Sequence, residues 1–543
     1  MLTLSQTLRT ALVVACTLAA STAWSAPPAD LDATINKAIT EVGIPGFAVS
    51  IVEDGKSTYA KGFGVRRLGG SEPVDADTLF IIGSTSKAFT SAALAILVDD
   101  GKIGWDDKVI DHLPGFQMYD AWVTREMTVR DLLVHRSGLG LGQGDLLAIP
   151  RTSRSRAEIV HAVRFLKPAT SFRSGYAYDN VLYVVAGAVV EAVSGQRWED
   201  FVRDRIFKPA GMTRSTTDEA DLFKTDNRVQ PHARTTGRIR GMGPLAMLDE
   251  RQGLPQVMAP AGMIASSAND LSHWLAIQLA QGALPGSDKA DSNQANPNND
   301  APRLFSAAAS KEMWTPQVMT PISGYPPPLD ALTPLFSAYA LGWSVEDYRG
   351  VRIIQHGGAV LGEQSSFVLI PSLNVGFTMQ ANSEDGGVVM KGLTYQLLDH
   401  YLDAPKHDWI ADFAAYKKNR VAVALKALDT MTAEAKPSKP SLPLSGYAGS
   451  YTDPWYGPIS VSESKGKLRI DFKQTPNMAA TLEHWQYDTF RTRWDDKTIE
   501  AAYVTFSLDA AGKVAQITMK AVSPLADFSY DFHDLLFTPT PSK

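Results

Sequence analysis

Cysteine is nearly missing from this chain: Cys16 is the only one among 543 residues. Beyond it there is no thiol nucleophile and no disulfide to staple a core. Long apolar runs are scarce as well. The one near the start, Ala11 to Ala20, is too short to span a bilayer. It follows Arg9 and precedes the small residues Ser21, Thr22, Ala23, Ser25 and Ala26, the order of a secretory signal peptide. Residues 1–26 are therefore expected to be a leader. The mature protein is expected to be periplasmic or secreted, free of cysteine, and without a membrane span. Charge of one sign is also in short supply. A net charge of −6 over this length gives no electrostatic reason to expect nucleic acid or an anionic membrane as partner. The ten histidines include none paired at i,i+4 with an acidic third ligand, so no metal is expected. No phosphate loop or dinucleotide fingerprint is seen, so no cofactor is expected either.

What is present is a chain too long for one core, with the apolar content of ordinary globular domains. Gly46–Val52 and Ser57–Gly64 read as a β-hairpin turned at Glu53-Asp54-Gly55-Lys56. Helical periodicity runs from Ser84 to Asp100, with Gly101 as cap, and recurs at Asn180–Val193, Trp198–Phe207 and Asn269–Leu279. Strands return at Val351–Gln355, Ser365–Ile370 and Val375–Gln380, followed by a helix over Met390–Tyr401. Strands at both ends of a helical middle predict a sheet built from the two ends, with a helical subdomain inserted. The polar stretch Leu284–Pro302 cannot bury a core and is expected to be mobile. An amphipathic helix over Asp408–Leu428 and a proline-rich linker over Glu434–Pro443 lead to short β-runs: Ile459–Ser462, Leu468–Phe472, Tyr503–Leu508 and Val514–Met519. These predict a separate small all-β barrel or sandwich. The fold class is mixed α/β, divided as 27–403, 404–443 and 444–543.

Three short elements carry chemistry. In Ser84-Thr85-Ser86-Lys87 a serine has a lysine three positions on, so both lie on one helix face. A serine hydroxyl attacks carbonyls only when a base or a desolvated amine adjoins it. The same pattern also fits a capping serine with a surface lysine. In Tyr178-Asp179-Asn180 the phenol and the amide straddle one residue, and either face a cleft together or cap a helix. A phenol beside an ammonium loses its proton more easily and is a candidate general base. In His356-Gly357-Gly358-Ala359 two glycines leave room for a substrate backbone against a strand edge.

Together these resemble the S-x-x-K, Y-x-N and K-T-G or H-x-G elements of the serine β-lactamase and penicillin-binding-protein superfamily, in the same chain order. The likeness is to the class C branch, which includes D-Ala-D-Ala carboxypeptidases, D-aminopeptidases and esterases, and it covers roughly residues 30–403. Thr128–Leu139, Pro260–Ser266 and Tyr339–Trp343 also look familial. The resemblance implies that Ser84 is the acylated nucleophile and that Lys87 and Tyr178 activate it and shuttle its proton. It implies that Asn180 binds the substrate carbonyl and that the N–H groups of Ser84 and Ala359, beside Gly358, form the oxyanion hole. His356 stands where many β-lactamases carry lysine, which implies a weaker hold on a substrate carboxylate. The C-terminal domain resembles the lipocalin-like modules of some relatives, which favours peptidase or esterase branches. The implied activity is hydrolysis of a small-molecule or short-peptide substrate, with D-residue, cell-wall and linearised cyclic peptides among the candidates. Esters or penicillins are the alternatives. Deleting the chain from about Glu434 is expected to leave acyl transfer detectable.

Overall fold

The computed structural model describes residues 26–253, 255–284 and 302–541. The expected leader, apart from Ala26, and the polar stretch between Leu284 and Pro302 lie outside the described residues.

Eight strands form one antiparallel sheet. β1 (Gly46–Glu53) and β2 (Lys56–Gly64) form the hairpin read from sequence, with Asp54 and Gly55 both at positive φ as its tight turn requires. The other six come late: β3 (Val318–Met319), β4 (Ser337–Tyr339), β5 (Ser344–Tyr348), β6 (Val351–Val360), β7 (Glu363–Ile370) and β8 (Val375–Ala381). Their spatial order is β2-β1-β8-β7-β6-β5-β4-β3, so the two ends of this region meet where β1 pairs with β8, Phe47 opposite Ala381. Alternation along each strand sends side chains to two cores. Ile353 joins one built with α1 (Leu31–Val42), while Ile354 joins the other, built with α2 (Lys87–Asp99), α3 (Val181–Ser194) and α4 (Ala268–Leu279). α2 is buried on every side from Lys87 to Leu97, its apolar residues running all round it with Lys87, Thr90 and Ser91 as the buried polar exceptions. α5 (Gly386–Tyr401) and the start of α6 (Trp409–Glu434) cover the first core.

The C-terminal region is a closed antiparallel barrel: β9 (Gly449–Asp453), β10 (Gly457–Ser464), β11 (Lys467–Phe472), β12 (Ala479–Gln486), β13 (Thr489–Trp494), β14 (Ala502–Leu508), β15 (Val514–Ala521) and β16 (Leu536–Pro539). It is docked on the rest of the molecule. Arg154, buried, donates to the carbonyls of Leu147 (3.2 Å) and Tyr456 and lies 4.8 Å over the Tyr456 ring. The core around α2 runs without a break into the barrel interior, joining Leu146 and Leu147 to Tyr456 and Phe537.

Candidate active site

Gly83, at φ +53°, opens a 3-10 turn over Gly83–Ser86, and α2 begins only at Lys87. This corrects the expectation of an α-helix starting at Ser84. Three residues per turn stack i over i+3, which brings the Lys87 Nζ to 3.0 Å from the Ser84 Oγ. The turn is held against β6 at very close range. A Cβ on Gly83 would sit 2.6 Å from the Ala359 nitrogen, and one on Gly358 would fall on the Ile82 carbonyl oxygen. Glycine at both positions therefore lets the Ala359 backbone lie beside Ser84.

Lys87 has two further partners, the Asn180 Oδ1 at 2.6 Å and the Ala261 carbonyl at 3.0 Å. Asn180 stands at the N-cap of α3 but makes no capping hydrogen bond. Its amide is fixed instead by Nδ2, which donates to the Asp145 Oδ2 at 2.8 Å. Lys87 is wholly buried, and this desolvation brings its pKa down to about 7 against the pull of Asp145 and Asp179. A neutral amine has two N–H donors and one lone pair. Two of its three neighbours, Asn180 Oδ1 and Ala261 O, can only accept. The lone pair is then left for the Ser84 hydroxyl, the arrangement a general base needs.

Tyr178 also lies at this cluster, with Lys87 Nζ 4.8 Å from its ring centroid. Its buried hydroxyl makes no hydrogen bond of ordinary geometry. Burial pushes its pKa well above the usual phenol range, and the adjoining Ser84 hydroxyl offsets this only in part. Desolvation therefore works against the easily ionised phenol expected from sequence. His356 is held neutral too, its pKa lowered to about 3 by burial and by Lys87. Its Nδ1 donates to the Gly357 carbonyl (2.6 Å), so its Nε2 accepts from the Tyr339 hydroxyl (2.8 Å).

The site thus brings together Ser84, Lys87, Tyr178, Asn180, His356, Gly358 and Ala359, all of which line or adjoin one cleft of about 910 Å³. Gly357 faces the cleft, and a methyl group on its Cα would meet nothing within 4 Å. Four other residues belong to the site without a mark in the three motifs. His135 lies beneath Tyr178, ring centroids 4.2 Å apart, and accepts the Asp179 N–H. Tyr339 orients His356. Asp145 orients Asn180, and its only sequence signal is the glycine-dense run Gly140-Leu141-Gly142-Gln143-Gly144 before it. Ser529 comes from the barrel and donates to the Asp145 Oδ2 at 2.8 Å.

Comparisons with known proteins agree on the fold. Residues 31–402 match the family model described as Beta-lactamase, and residues 433–539 match one described as a domain of unknown function (DUF3471). A protein of Aspergillus campestris named unguisins hydrolase is 29% identical over 472 residues, covering 83% of this chain and 81% of that one. Penicillin-binding protein 4 of Amycolatopsis lactamdurans is 29% identical over 358 residues, covering 65% of this chain and 84% of its own. Among solved structures, the octameric penicillin-binding protein homologue from Pyrococcus abyssi superposes with a TM-score of 0.57 at 18% identity, over 94% of this chain and 99% of its own.

Proposed function

The chain belongs to the Beta-lactamase family, within the serine β-lactamase and penicillin-binding-protein superfamily, and on that footing we propose that it is an exported serine hydrolase acting through an acyl-enzyme on small peptide amides. The observation that carries this reading is the buried Lys87 amine 3.0 Å from the Ser84 hydroxyl with its other two neighbours acceptors only. Ser84 Oγ attacks the substrate carbonyl carbon and its proton passes to Lys87 Nζ. The N–H groups of Ser84 and Ala359 hold the oxyanion that forms. As the tetrahedral species collapses, the scissile bond breaks, and the proton returns through the neutral Tyr178 hydroxyl to the leaving amine. Water then repeats the sequence on the ester and frees Ser84. Asn180 keeps Lys87 in place and contacts the acyl side.

A peptide substrate is favoured by β6. Its pairing with β5 ends at Gln355–Ser344, while its pairing with β7 continues to Val360. Among the described residues no strand pairs with residues 356–360 on the side away from β7, which leaves that edge for an extended peptide. The similarity to a protein named unguisins hydrolase supports a hydrolytic role, and linearised cyclic peptides stand among the candidate substrates. A neutral His356 does not attract a substrate carboxylate, and this favours the second reading, an esterase on short-chain esters, over a penicillin-processing protein. A panel of linear peptides, D-aminoacyl amides, short-chain esters and a chromogenic cephalosporin, compared by kcat/KM, separates these. Peptide amides should lead. Turnover of esters alone would replace the peptidase reading, and a stable adduct without product would indicate a penicillin-binding role. Ser84→Ala should abolish labelling by a fluorophosphonate, and undiminished labelling would remove Ser84 as nucleophile.

A further inference from the structure

The barrel carries a loop that reaches the Lys87 network. Residues 523–535 lie between β15 and β16, and three side chains of this loop engage the glycine-dense segment around Asp145. The Asp531 carboxylate, fully buried, accepts the backbone N–H of Gly144 (2.7 Å) and of Leu146 (3.0 Å), the two residues flanking Asp145. The Ser529 hydroxyl, itself buried, donates to the Asp145 Oδ2 (2.8 Å), the same oxygen that receives the Asn180 amide. The Phe528 ring meets the Tyr178 ring edge-on at 5.8 Å between centroids, and its carbonyl lies so close to Gly142 that a side chain there would collide with it. Each hydrogen bond crosses more than 380 residues of sequence.

We infer that Ser529 and Asp531 are positioning residues for the nucleophile: through Asp145 and Asn180 they hold the Lys87 amine on Ser84, so the barrel is a working part of the active site. A chain of four hydrogen bonds runs Ser529–Asp145–Asn180–Lys87–Ser84. Asp145 Oδ2 accepts from both Ser529 and the Asn180 Nδ2, which turns the Asn180 Oδ1 toward Lys87. Without the Ser529 donor and the two backbone donors clamped by Asp531, the segment holding Asp145 loses its fixed place, and Asn180 loses what sets its amide orientation. On this inference a chain cut at Glu434 should lose its chemistry, the opposite of the outcome expected from sequence.

The inference rests on the reading of Ser84 and Lys87 as the acylating pair, and the test separates the two. All variants are made in the full-length chain, and acylation is followed with a p-nitrophenyl ester that the wild type turns over. Ser84→Ala first checks the pair itself: persistent turnover there overturns the underlying reading. Ser529→Ala leaves the cavity shape nearly unchanged. It should lower kcat by about tenfold, equal to about 1.4 kcal/mol of barrier, with KM within a factor of two. Ser529→Thr, which keeps the hydroxyl, should recover most of the loss. In an Asp145→Asn background the further loss from Ser529→Ala should shrink to less than twofold, because both changes break the same chain. A Ser529→Ala enzyme with wild-type kcat would overturn the inference. So would a loss that appears only in KM, or one of equal size in both backgrounds.

Discussion

The 2.6 Å between a methyl position on Gly83 and the Ala359 nitrogen makes Gly83→Ala a direct probe of the oxyanion pair. Ordinary contact there needs about 3.4 Å or more, so the turn and β6 must separate by about 0.8 Å. These two backbones carry the N–H groups of Ser84 and Ala359. A shift of this order at a reacting centre costs about 100-fold in rate, and outright loss of one oxyanion donor costs about 10²–10³-fold, or about 2.7–4 kcal/mol. The variant also loses stability. Overpacking of a tight contact costs about 1–3 kcal/mol, and a non-glycine residue at φ +53° adds about 1–2 kcal/mol. The assay is the second-order rate of fluorophosphonate labelling at Ser84, measured below the melting transition of each protein. Gly357→Ala is the control, because a methyl there meets nothing within 4 Å. Gly83→Ala should label about 100-fold more slowly while Gly357→Ala stays near wild type with this small probe. A folded Gly83→Ala protein labelling within threefold of wild type would refute the argument that the close approach of the turn to β6 builds the oxyanion site.

Two further outcomes follow from the electrostatics. Burial destabilises the Lys87 ammonium and lowers its pKa to about 7, and the base is the neutral amine, so acylation should rise with pH and reach half its plateau near pH 7. Lys87→Met should remove this limb and cut the rate by more than about 10³-fold; a limb that survives the substitution belongs to another group. The raised pKa of Tyr178 predicts that the wild-type minus Tyr178→Phe absorbance difference near 295 nm shows no phenolate below about pH 10. A phenolate step at neutral pH would restore Tyr178 as the ionised base.

The parts of the site that are legible in the sequence are those written within a few residues of one another. Ser84 with Lys87, Tyr178 with Asn180, and His356 with its glycines each form a short pattern whose spacing already implies proximity. The familial stretches become intelligible in the same way: Pro260–Ser266 supplies the Ala261 carbonyl to Lys87, and Tyr339–Trp343 supplies the hydroxyl on His356. Asp145, Ser529 and Asp531 carry no such local mark, because what defines them is contact across the fold. The surroundings of the Tyr178 phenol are hidden from the sequence for a related reason. Charge proximity is visible in a motif, whereas desolvation depends on everything packed around it. In the barrel, Ile459–Ser462, Leu468–Phe472, Tyr503–Leu508 and Val514–Met519 each fall within a strand. Gly449–Asp453, Ala479–Gln486, Thr489–Trp494 and Leu536–Pro539 are strands that the sequence reading does not find. Ala479–Gln486 is rich in alanine and polar residues, and Leu536–Pro539 is only four residues long and ends in proline, so neither has the β-branched signature of a strand.

Closure gives the barrel a seam. β16 pairs with β9 on one side and β15 on the other, and it is the last strand to join the ring. An open sheet can shed an edge strand and keep the rest, but a ring has no expendable member. Loss of β16 would part the seam directly beside the loop that holds Asp531 and Ser529. If Ser529 and Asp531 position Lys87, the integrity of this seam bears on Ser84, more than 400 residues away in sequence.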